Sequence, residues 1–197
     1  MQPYFLTHPV GVLYAITLLA WYSLEIRQFV RQRRWRQDAA DADPQAYPGV
    51  FFAGALAAVI VLIAVPTSVP AAAIGHAATL FGVGMLLLVA GALLRVWSFQ
   101  TLGRYFTFGV KVSPDQPVLT GGPYRVLRHP GYAGGLLAIV GIGILYGNWI
   151  SLAALVAIFG ALTGWRIHVE ERALLTVVGG SYGAYAAHHK RLVPLVW

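Results

Sequence analysis

Five apolar stretches separated by polar connectors constrain this chain more than any other feature. The chain is 58% hydrophobic and only 11% charged, and its mean hydropathy of +0.66 is far above that of an average soluble domain. The stretches cover residues 4–24, 50–65, 71–97, 131–146 and 149–165. Because a helix that crosses a bilayer needs about 20 mostly apolar residues, the sequence predicts an all-α integral membrane protein with about five transmembrane helices in a single domain.

The charged residues of the connectors all fall on one side of this arrangement. The connectors after the first, third and fifth stretches contain 13 of the 14 lysines and arginines and all 7 acidic residues, whereas residues 66–70 and 147–148 contain none; the remaining basic residue, Arg95, lies near the end of the third stretch. Because positively charged loops stay in the cytoplasm, this pattern predicts an outward amino terminus and a cytoplasmic face for any polar chemistry. The composition, rich in alanine, arginine and glycine, is typical of a bacterial protein, so we expect a bacterial inner-membrane location.

Prolines and polar segments set the expected helix ends. Pro66 is predicted to end the second helix, and the third is predicted to begin at residue 71. Residues 1–97 then form three transmembrane helices with a basic connector. Residues 98–197 form the half that carries the chemistry, including a helical hairpin over residues 131–165.

Two polar segments of this second half are distinctive. Residues 98–130 are too long for an ordinary connection, and their glycines, prolines and aromatic residues favour a functional segment over disorder. Residues 166–190 are predicted to form a C-terminal interfacial helix outside the hydrocarbon, interrupted at Gly179 and Gly180.

The composition excludes several classes of site and partner. Without cysteine the chain has no disulfide, thiolate metal centre or cysteine nucleophile, and we predict no metal site. The formal charge of +7 would favour nucleic acid in a soluble protein. Here arginines at helix ends are better explained by lipid headgroups, so we expect membrane lipid as a partner and no nucleic acid.

The segment that leads into the fourth helix, residues 119–134, is the most informative part of the connector. Pro130 suits the first helical turn, where its missing N–H is not needed, so His129 lies at a helix amino terminus. Free amides at such an end favour an anionic group, for example the carboxylate of an amino-acid-like cofactor. Composition alone indicates no more than a turn followed by a helix start.

A second polar cluster, Arg-Ile-His-Val-Glu-Glu-Arg at residues 166–172, follows the fifth stretch. Arg166 and Glu170 are four positions apart, so they project from the same face of a helix. Arg172 is explained as a headgroup anchor. Adjacent carboxylates are not, because anionic lipids repel them, and Glu170 and Glu171 are therefore candidates for chemistry.

Together these motifs resemble those of a known family. The chain has Gly-Pro-Tyr-Arg at 122–125, Arg-His-Pro-Gly-Tyr at 128–132 with Gly134, Glu-Glu at 170–171 and Gly-Gly-Ser-Tyr-Gly-Ala-Tyr at 179–185. This combination resembles the isoprenylcysteine carboxyl methyltransferase family and its prokaryotic relatives, from Leu102 onward. The histidine-proline element followed by paired glutamates is more specific than either motif alone.

The resemblance implies a methyltransferase that binds S-adenosylmethionine in a pocket formed by the last two membrane helices and their flanking segments. It implies catalytic roles for Glu170 and for Arg166, which would bind the acidic group of the substrate. Tyr182 and Tyr185 match the family's carboxy-terminal helix, and we expect them to be packing residues. By motif position, the residues that line the cofactor pocket are Gln116, Val118, Leu119, Tyr124, His129, Pro130, Tyr132, Glu170 and Glu171.

The predicted reaction is methyl transfer to a carboxylate of a lipophilic small-molecule or prenylated substrate. A carboxylate is already ionised at neutral pH and needs no general base, so an arginine that holds one of its oxygens suits the reaction. His129 would serve as a base if the acceptor were an amine or a phenol. The glycine-rich third and fourth helices are expected to open a lateral path for the substrate.

Other functions remain open from the sequence. One is a membrane phospholipid or isoprenoid methyltransferase that acts on nitrogen or oxygen. Another is an enzyme like the sterol reductases, with NADPH as cofactor. A non-enzymatic membrane protein, such as a channel or a transporter component, would show the same hydropathy but would have no use for the glutamate pair.

Overall fold

The structure of the chain, a computed structural model, describes residues 3–35, 49–106, 112 and 116–194. Within these residues the chain forms seven α-helices and no β-strand, which confirms the prediction of an all-α protein. The helices are α1 Tyr4–Thr7, α2 Gly11–Trp35, α3 Gly49–Ser68, α4 Ala77–Leu102, α5 Pro130–Leu145, α6 Trp149–Val177 and α7 Gly180–His188.

Two segments of the described chain are long and apolar enough to cross a bilayer. They are Ala77–Tyr105 and Trp149–Val177, each of 29 residues, and shorter apolar helices cover Ala53–Ser68 and Pro130–Leu145. Large apolar side chains face outward from the helices; Leu86, for example, is 68% exposed. An outward apolar surface suits lipid better than water. The total of five spans stays a prediction.

Helices α4 and α5 pack backbone to backbone through glycines. A Cβ added to Gly91 would lie 2.5 Å from the carbonyl oxygen of Gly134, and one added to Gly141 would lie 2.6 Å from the carbonyl oxygen of Gly84. No larger side chain fits at such distances without moving a backbone. The expectation that these two helices open a lateral path is therefore wrong, because their small residues close the interface.

Two helix ends near the second connector differ from those predicted. Pro66 lies inside α3, which continues to Ser68; so close to the helix end, the missing N–H removes only one hydrogen bond. The chain then makes a short 3-10 turn at Pro70–Ala72, and α4 begins at Ala77 and not at residue 71. Because this turn is built from apolar residues, hydropathy did not distinguish it from the helix.

Helix α6 is longer than the sequence predicted. It runs without a break from Trp149 to Val177, so the polar residues after Trp165 continue the membrane helix and do not begin an interfacial one. A helix of 29 residues is about 44 Å long, compared with about 30 Å for the hydrocarbon core. The helix is therefore longer than the hydrocarbon core is thick. The predicted interruption is confirmed at Gly179, whose φ is +73°.

The carboxy-terminal segment folds back onto the residues that precede α5. The Tyr185 hydroxyl in α7 donates to the carbonyl oxygens of Tyr124, at 2.7 Å, and of Leu127, at 3.2 Å. Leu127 also forms an isolated parallel bridge with Lys190. Helix α7 and the residues after it thus close one end of the helix bundle.

Candidate active site

A cleft opens where α4, α5, α6 and α7 meet the segment before α5. The space between its walls is about 900 Å³, including the open mouth. Pro130, Glu171 and Arg166 lie next to the cleft and are not among its lining residues. The other residues predicted for the cofactor pocket line it: Gln116, Val118, Leu119, Tyr124, His129, Tyr132 and Glu170.

Tyr132 joins the two predicted motifs at the wall of the cleft. Its hydroxyl donates to Oε2 of Glu170 at 2.6 Å and accepts a hydrogen bond from Nε of Arg166 at 2.5 Å. Arg166 is only 8% exposed, and its guanidinium carbon lies 5.5 Å from the centre of the Tyr132 ring. Arg166 and Glu170 therefore face the same way, as their spacing predicts, and a cation and a carboxylate meet at one phenol oxygen.

Glu171 has a different environment from its neighbour Glu170. Its Oε1 lies 2.8 Å from Nη1 of Arg128 and 3.2 Å from Nε2 of His129, and its Oε2 lies 2.9 Å from Nη2 of Arg191. A buried carboxylate is stable only when it is paired, and here both oxygens contact cationic or hydrogen-bonding groups of the chain itself. Glu171 thus connects α6 to the segment before α5 and to the carboxy-terminal segment.

The amides that immediately precede α5 are already bonded. Those of Arg128 and His129 donate to the carbonyl oxygens of Lys190 and Arg191, at 2.8 and 3.1 Å. Pro130 lies in the first turn of α5, as predicted. The expectation that these amides are free for an anion is nevertheless wrong, because residues distant in sequence supply their acceptors.

The cleft also contains an arginine that the sequence analysis did not single out. Arg95 in α4 lines the cleft and forms an ion pair with Glu25 of α2. Its Nη1 donates to the carbonyl oxygen of Gly131 at 2.9 Å, so the pair connects α2 and α4 to the first turn of α5. A signal was present in the sequence, because an arginine inside an apolar helix is rare and marks a functional or interhelical contact.

Several buried polar atoms of the cleft have no hydrogen-bond partner among the described residues. They are Oε1 of Gln116, Nε of Arg128 and the hydroxyl of Tyr182, and these side chains line the cleft. A buried polar atom without a partner destabilises the fold. The cleft therefore presents one acceptor and two donors suited to a polar ligand.

Comparison with known proteins agrees with this geometry. The family model of the isoprenylcysteine carboxyl methyltransferase (ICMT) family matches residues 83–176, which include Arg95, Tyr132, Arg166 and Glu170. The match covers 94 of the 197 residues, and over this part the chain is similar to the ICMT family. The resemblance predicted from the sequence motifs is thereby confirmed.

Curated proteins that are similar to this chain include plant, bacterial and fungal ones. Protein-S-isoprenylcysteine O-methyltransferase B of Arabidopsis thaliana is 32% identical over 115 residues, which are 57% of this chain and 58% of that protein. An uncharacterized protein of Bacillus subtilis is 35% identical over 83 residues, 42% of this chain and 49% of that protein. Protein-S-isoprenylcysteine O-methyltransferase of Schizosaccharomyces pombe is 30% identical over 111 residues, 55% of this chain and 47% of that protein. The chain spans about half the length of the curated relatives that it matches.

A solved structure of the eukaryotic intramembrane Ras methyltransferase ICMT has a similar fold. Its TM-score against this chain is 0.64 at 24% identity, and the match covers 76% of this chain and 54% of that one. At this identity the likeness concerns the fold alone. It is the fold of an intramembrane protein, which confirms the prediction of an integral membrane protein.

Within the ICMT motifs, sequence reasoning found the right segments but not every important side chain. Arg128 belongs to the histidine-proline motif, yet its ion pair with Glu171 was not predicted. Tyr182 was expected only to pack, and its unpartnered hydroxyl in the cleft was missed. No local sequence pattern predicts the Arg128–Glu171 ion pair or the position of the Tyr182 hydroxyl, because both depend on how α6 and α7 fold back onto the segment before α5.

Proposed function

We propose that this protein is an S-adenosylmethionine-dependent methyltransferase that methylates a carboxylate of a lipophilic substrate. The observation that carries the proposal is the contact of Tyr132 with both Arg166 and Glu170 at the wall of one cleft. This contact brings together a cation suited to a substrate carboxylate and an anion suited to the amino group or ribose hydroxyls of the cofactor. The similarity of residues 83–176 to the ICMT family supports the same reaction.

The residues of the cleft fit S-adenosylmethionine. Glu170 offers a carboxylate to its ammonium or hydroxyl groups, and the unpartnered atoms of Gln116, Arg128 and Tyr182 match its remaining polar groups. Apolar lining residues such as Leu119 suit the flat adenine ring. When bound, S-adenosylmethionine supplies a methyl group on positively charged sulfur, which is the electrophile of the reaction.

The chain's own residues contribute mainly positioning. Arg166 holds one oxygen of the substrate carboxylate and leaves the other oxygen to attack, and no general base is needed. Because Nε of Arg166 is bonded to Tyr132, the guanidinium is oriented before the substrate arrives, which lowers the entropy lost on binding. His129 contacts Glu171, and we assign it a positioning role in place of the base role.

The substrate class follows from the same cleft and from the surface around it. Relatives in Arabidopsis thaliana and Schizosaccharomyces pombe are named for protein-S-isoprenylcysteine, and the chemistry that we extend to this chain is a carboxylate on a lipophilic tail. Prenylated peptides and small isoprenoid or fatty acids both satisfy it. The exposed apolar side chains of the helices allow such a tail to arrive from the lipid.

We also propose a location for the cleft. The one-sided distribution of the 14 basic residues supports a site on the cytoplasmic face of a bacterial inner membrane, with the amino terminus outward. The soluble cofactor would then enter from the cytoplasm while the substrate tail stays in the bilayer.

Calorimetric titration of the detergent-purified protein with S-adenosylmethionine, and separately with NADPH, tests the proposed cofactor. We expect S-adenosylmethionine to bind and NADPH not to bind. Glu170→Ala should abolish this binding, whereas Arg172→Ala, an exposed residue two positions further along α6, should leave it unchanged. Binding of NADPH alone would favour a reductase, and binding of neither cofactor would contradict both enzymatic functions.

The acceptor is identified by incubating the protein with lipid extracts or prenylcysteine and with cofactor labelled at the methyl group. A methylated carboxylate is an ester, so mild alkali should release the label as methanol. Label on nitrogen or on an ether oxygen resists this treatment. Alkali-stable product would overturn the carboxylate part of the proposal while leaving a methyltransferase in place.

A further inference from the structure

Tyr182 has a buried hydroxyl that the fold does not use. The residue lies in α7 and is 5% exposed, and it lines the cleft. Its hydroxyl has no hydrogen-bond partner among the residues that the structure describes. Such a hydroxyl is costly in a folded protein unless a ligand satisfies it.

Tyr185 provides an internal comparison on the same helix. It is 9% exposed, and its hydroxyl is satisfied by the carbonyl oxygens of Tyr124 and Leu127 at 2.7 and 3.2 Å. The hydroxyl of Tyr185 therefore stabilises the fold. The hydroxyl of Tyr182 adds nothing comparable, since a phenylalanine would pack as well and would not bury an unsatisfied group.

The surroundings of Tyr182 determine what it can offer to a ligand. Burial raises the pKa of Tyr182 above its ordinary value, and the negative charges of Glu171 and Glu170 act in the same direction. The phenol is therefore protonated at neutral pH and is available as a donor. Nε of Arg128 is a second unpartnered donor in the same cleft. A ligand with several acceptor atoms would satisfy both donors.

We infer that the hydroxyl of Tyr182 donates a hydrogen bond to an acceptor atom of the bound methyl donor, an inference that rests on the proposed function. S-adenosylmethionine carries such acceptors in its carboxylate, its ribose oxygens and its adenine nitrogens. Tyr182 is thus a cofactor-binding residue. Tyr185, three positions later, is a packing residue, which is the role that the sequence predicted for both tyrosines.

The test compares Tyr182→Phe with Tyr185→Phe in the purified full-length protein. Without cofactor, Tyr182→Phe should leave the melting temperature unchanged or raise it, because an unsatisfied buried hydroxyl is removed. Tyr185→Phe should lower it by roughly 2–4 °C, because two carbonyl oxygens lose their donor. With S-adenosylmethionine, Tyr182→Phe should raise the dissociation constant roughly 2- to 10-fold, and Tyr185→Phe should change it less than about twofold.

Each other outcome has a separate meaning. If Tyr182→Phe destabilises the cofactor-free protein as much as Tyr185→Phe does, the hydroxyl has a partner within the protein and the inference is wrong. If the wild type binds S-adenosylmethionine and Tyr182→Phe binds it equally tightly, the inference fails while the proposed function stands. If the wild type binds no S-adenosylmethionine, the proposed function fails and this inference fails with it.

Discussion

Nε2 of His129 lies 3.2 Å from Oε1 of Glu171, so two residues 42 positions apart in the chain are in direct contact. This contact joins the histidine-proline motif to the glutamate pair, as a shared pocket requires. The neighbouring Glu170 lines the cleft instead. Consecutive side chains of a helix point about 100° apart, so the two glutamates differ in their surroundings: Glu171 connects three segments of the fold, and Glu170 faces the cleft.

The two glutamates should respond differently to neutralisation. Glu171→Gln removes the charge that is shared by Arg128, His129 and Arg191, and we expect the free energy of unfolding to fall by roughly 2–4 kcal/mol. Glu170→Gln keeps an acceptor for Tyr132 and should cost less than about 1 kcal/mol. Unfolding of the two variants in detergent measures both changes in the free energy of unfolding. Equal destabilisation by the two variants would contradict this difference between the glutamates.

The glycine interface between α4 and α5 predicts a position-dependent effect of a single methyl group. Gly91→Ala places a Cβ 2.5 Å from backbone atoms of α5, and we expect a loss of roughly 1–3 kcal/mol of stability. Gly82→Ala, in the same helix, meets no atom within 4 Å and should be neutral within about 0.5 kcal/mol. Melting temperatures of the two variants provide the check. A large loss for Gly82→Ala would mean that this face of α4 is covered in solution.

The ion pair of Arg95 and Glu25 should be visible in a double-mutant cycle. Their side chains are 16% and 17% exposed, so each charge depends on the other for compensation. Glu25→Gln and Arg95→Gln should each destabilise the protein, and the double variant should recover about 1–3 kcal/mol relative to the sum of the single effects. Additive effects within about 0.5 kcal/mol would show that the two residues do not interact in the membrane protein.

Arg166→Lys separates the binding of cofactor from the handling of the acceptor. Lysine keeps the charge but lacks the planar fork that binds Tyr132 and, as proposed, the substrate carboxylate. We expect turnover to fall by about tenfold or more, equivalent to at least about 1.4 kcal/mol of the barrier. The dissociation constant of S-adenosylmethionine should change less than about twofold, because the proposed contact of Arg166 is with the substrate carboxylate and not with the cofactor. Initial rates measure turnover, and calorimetry measures the dissociation constant of S-adenosylmethionine. A fall in turnover with an equal loss of cofactor affinity would contradict this role.

The topology can be tested directly because the chain has no cysteine. Ser68→Cys and Ser181→Cys each introduce a single thiol at an exposed position, before α4 and after α6. In intact cells, a maleimide that cannot cross the membrane should label the thiol at position 68. The thiol at position 181 should react only after the membrane is opened. Labelling of both thiols from one side would refute the proposed number of crossings, and the reverse pattern would invert the orientation.

Hydropathy, charge order and motif spacing were enough to establish several features of this protein. They gave the all-α membrane fold, the hairpin of α5 and α6 and the projection of Arg166 and Glu170 from one helix face. These properties are local, since each depends on residues within a few turns of one another. The start of α4 was missed for the same reason, because an apolar turn and an apolar helix have the same hydropathy.

Contacts between segments far apart in the chain were decided only by the tertiary structure. The amides of Arg128 and His129 were expected to be free, and their acceptors come from residues 190 and 191. The third and fourth predicted helices were expected to open a path between them, and in the structure Gly91 of α4 lies against the backbone at Gly134 of α5. A backbone amide can donate to any carbonyl oxygen, and a glycine can pack against any backbone. Which partner each of them meets is therefore decided by packing and not by the residues next to it in the chain. Whether Tyr182 packs or binds a ligand therefore depends on which groups α7 meets when it folds back, and no residue near it in the chain carries that information.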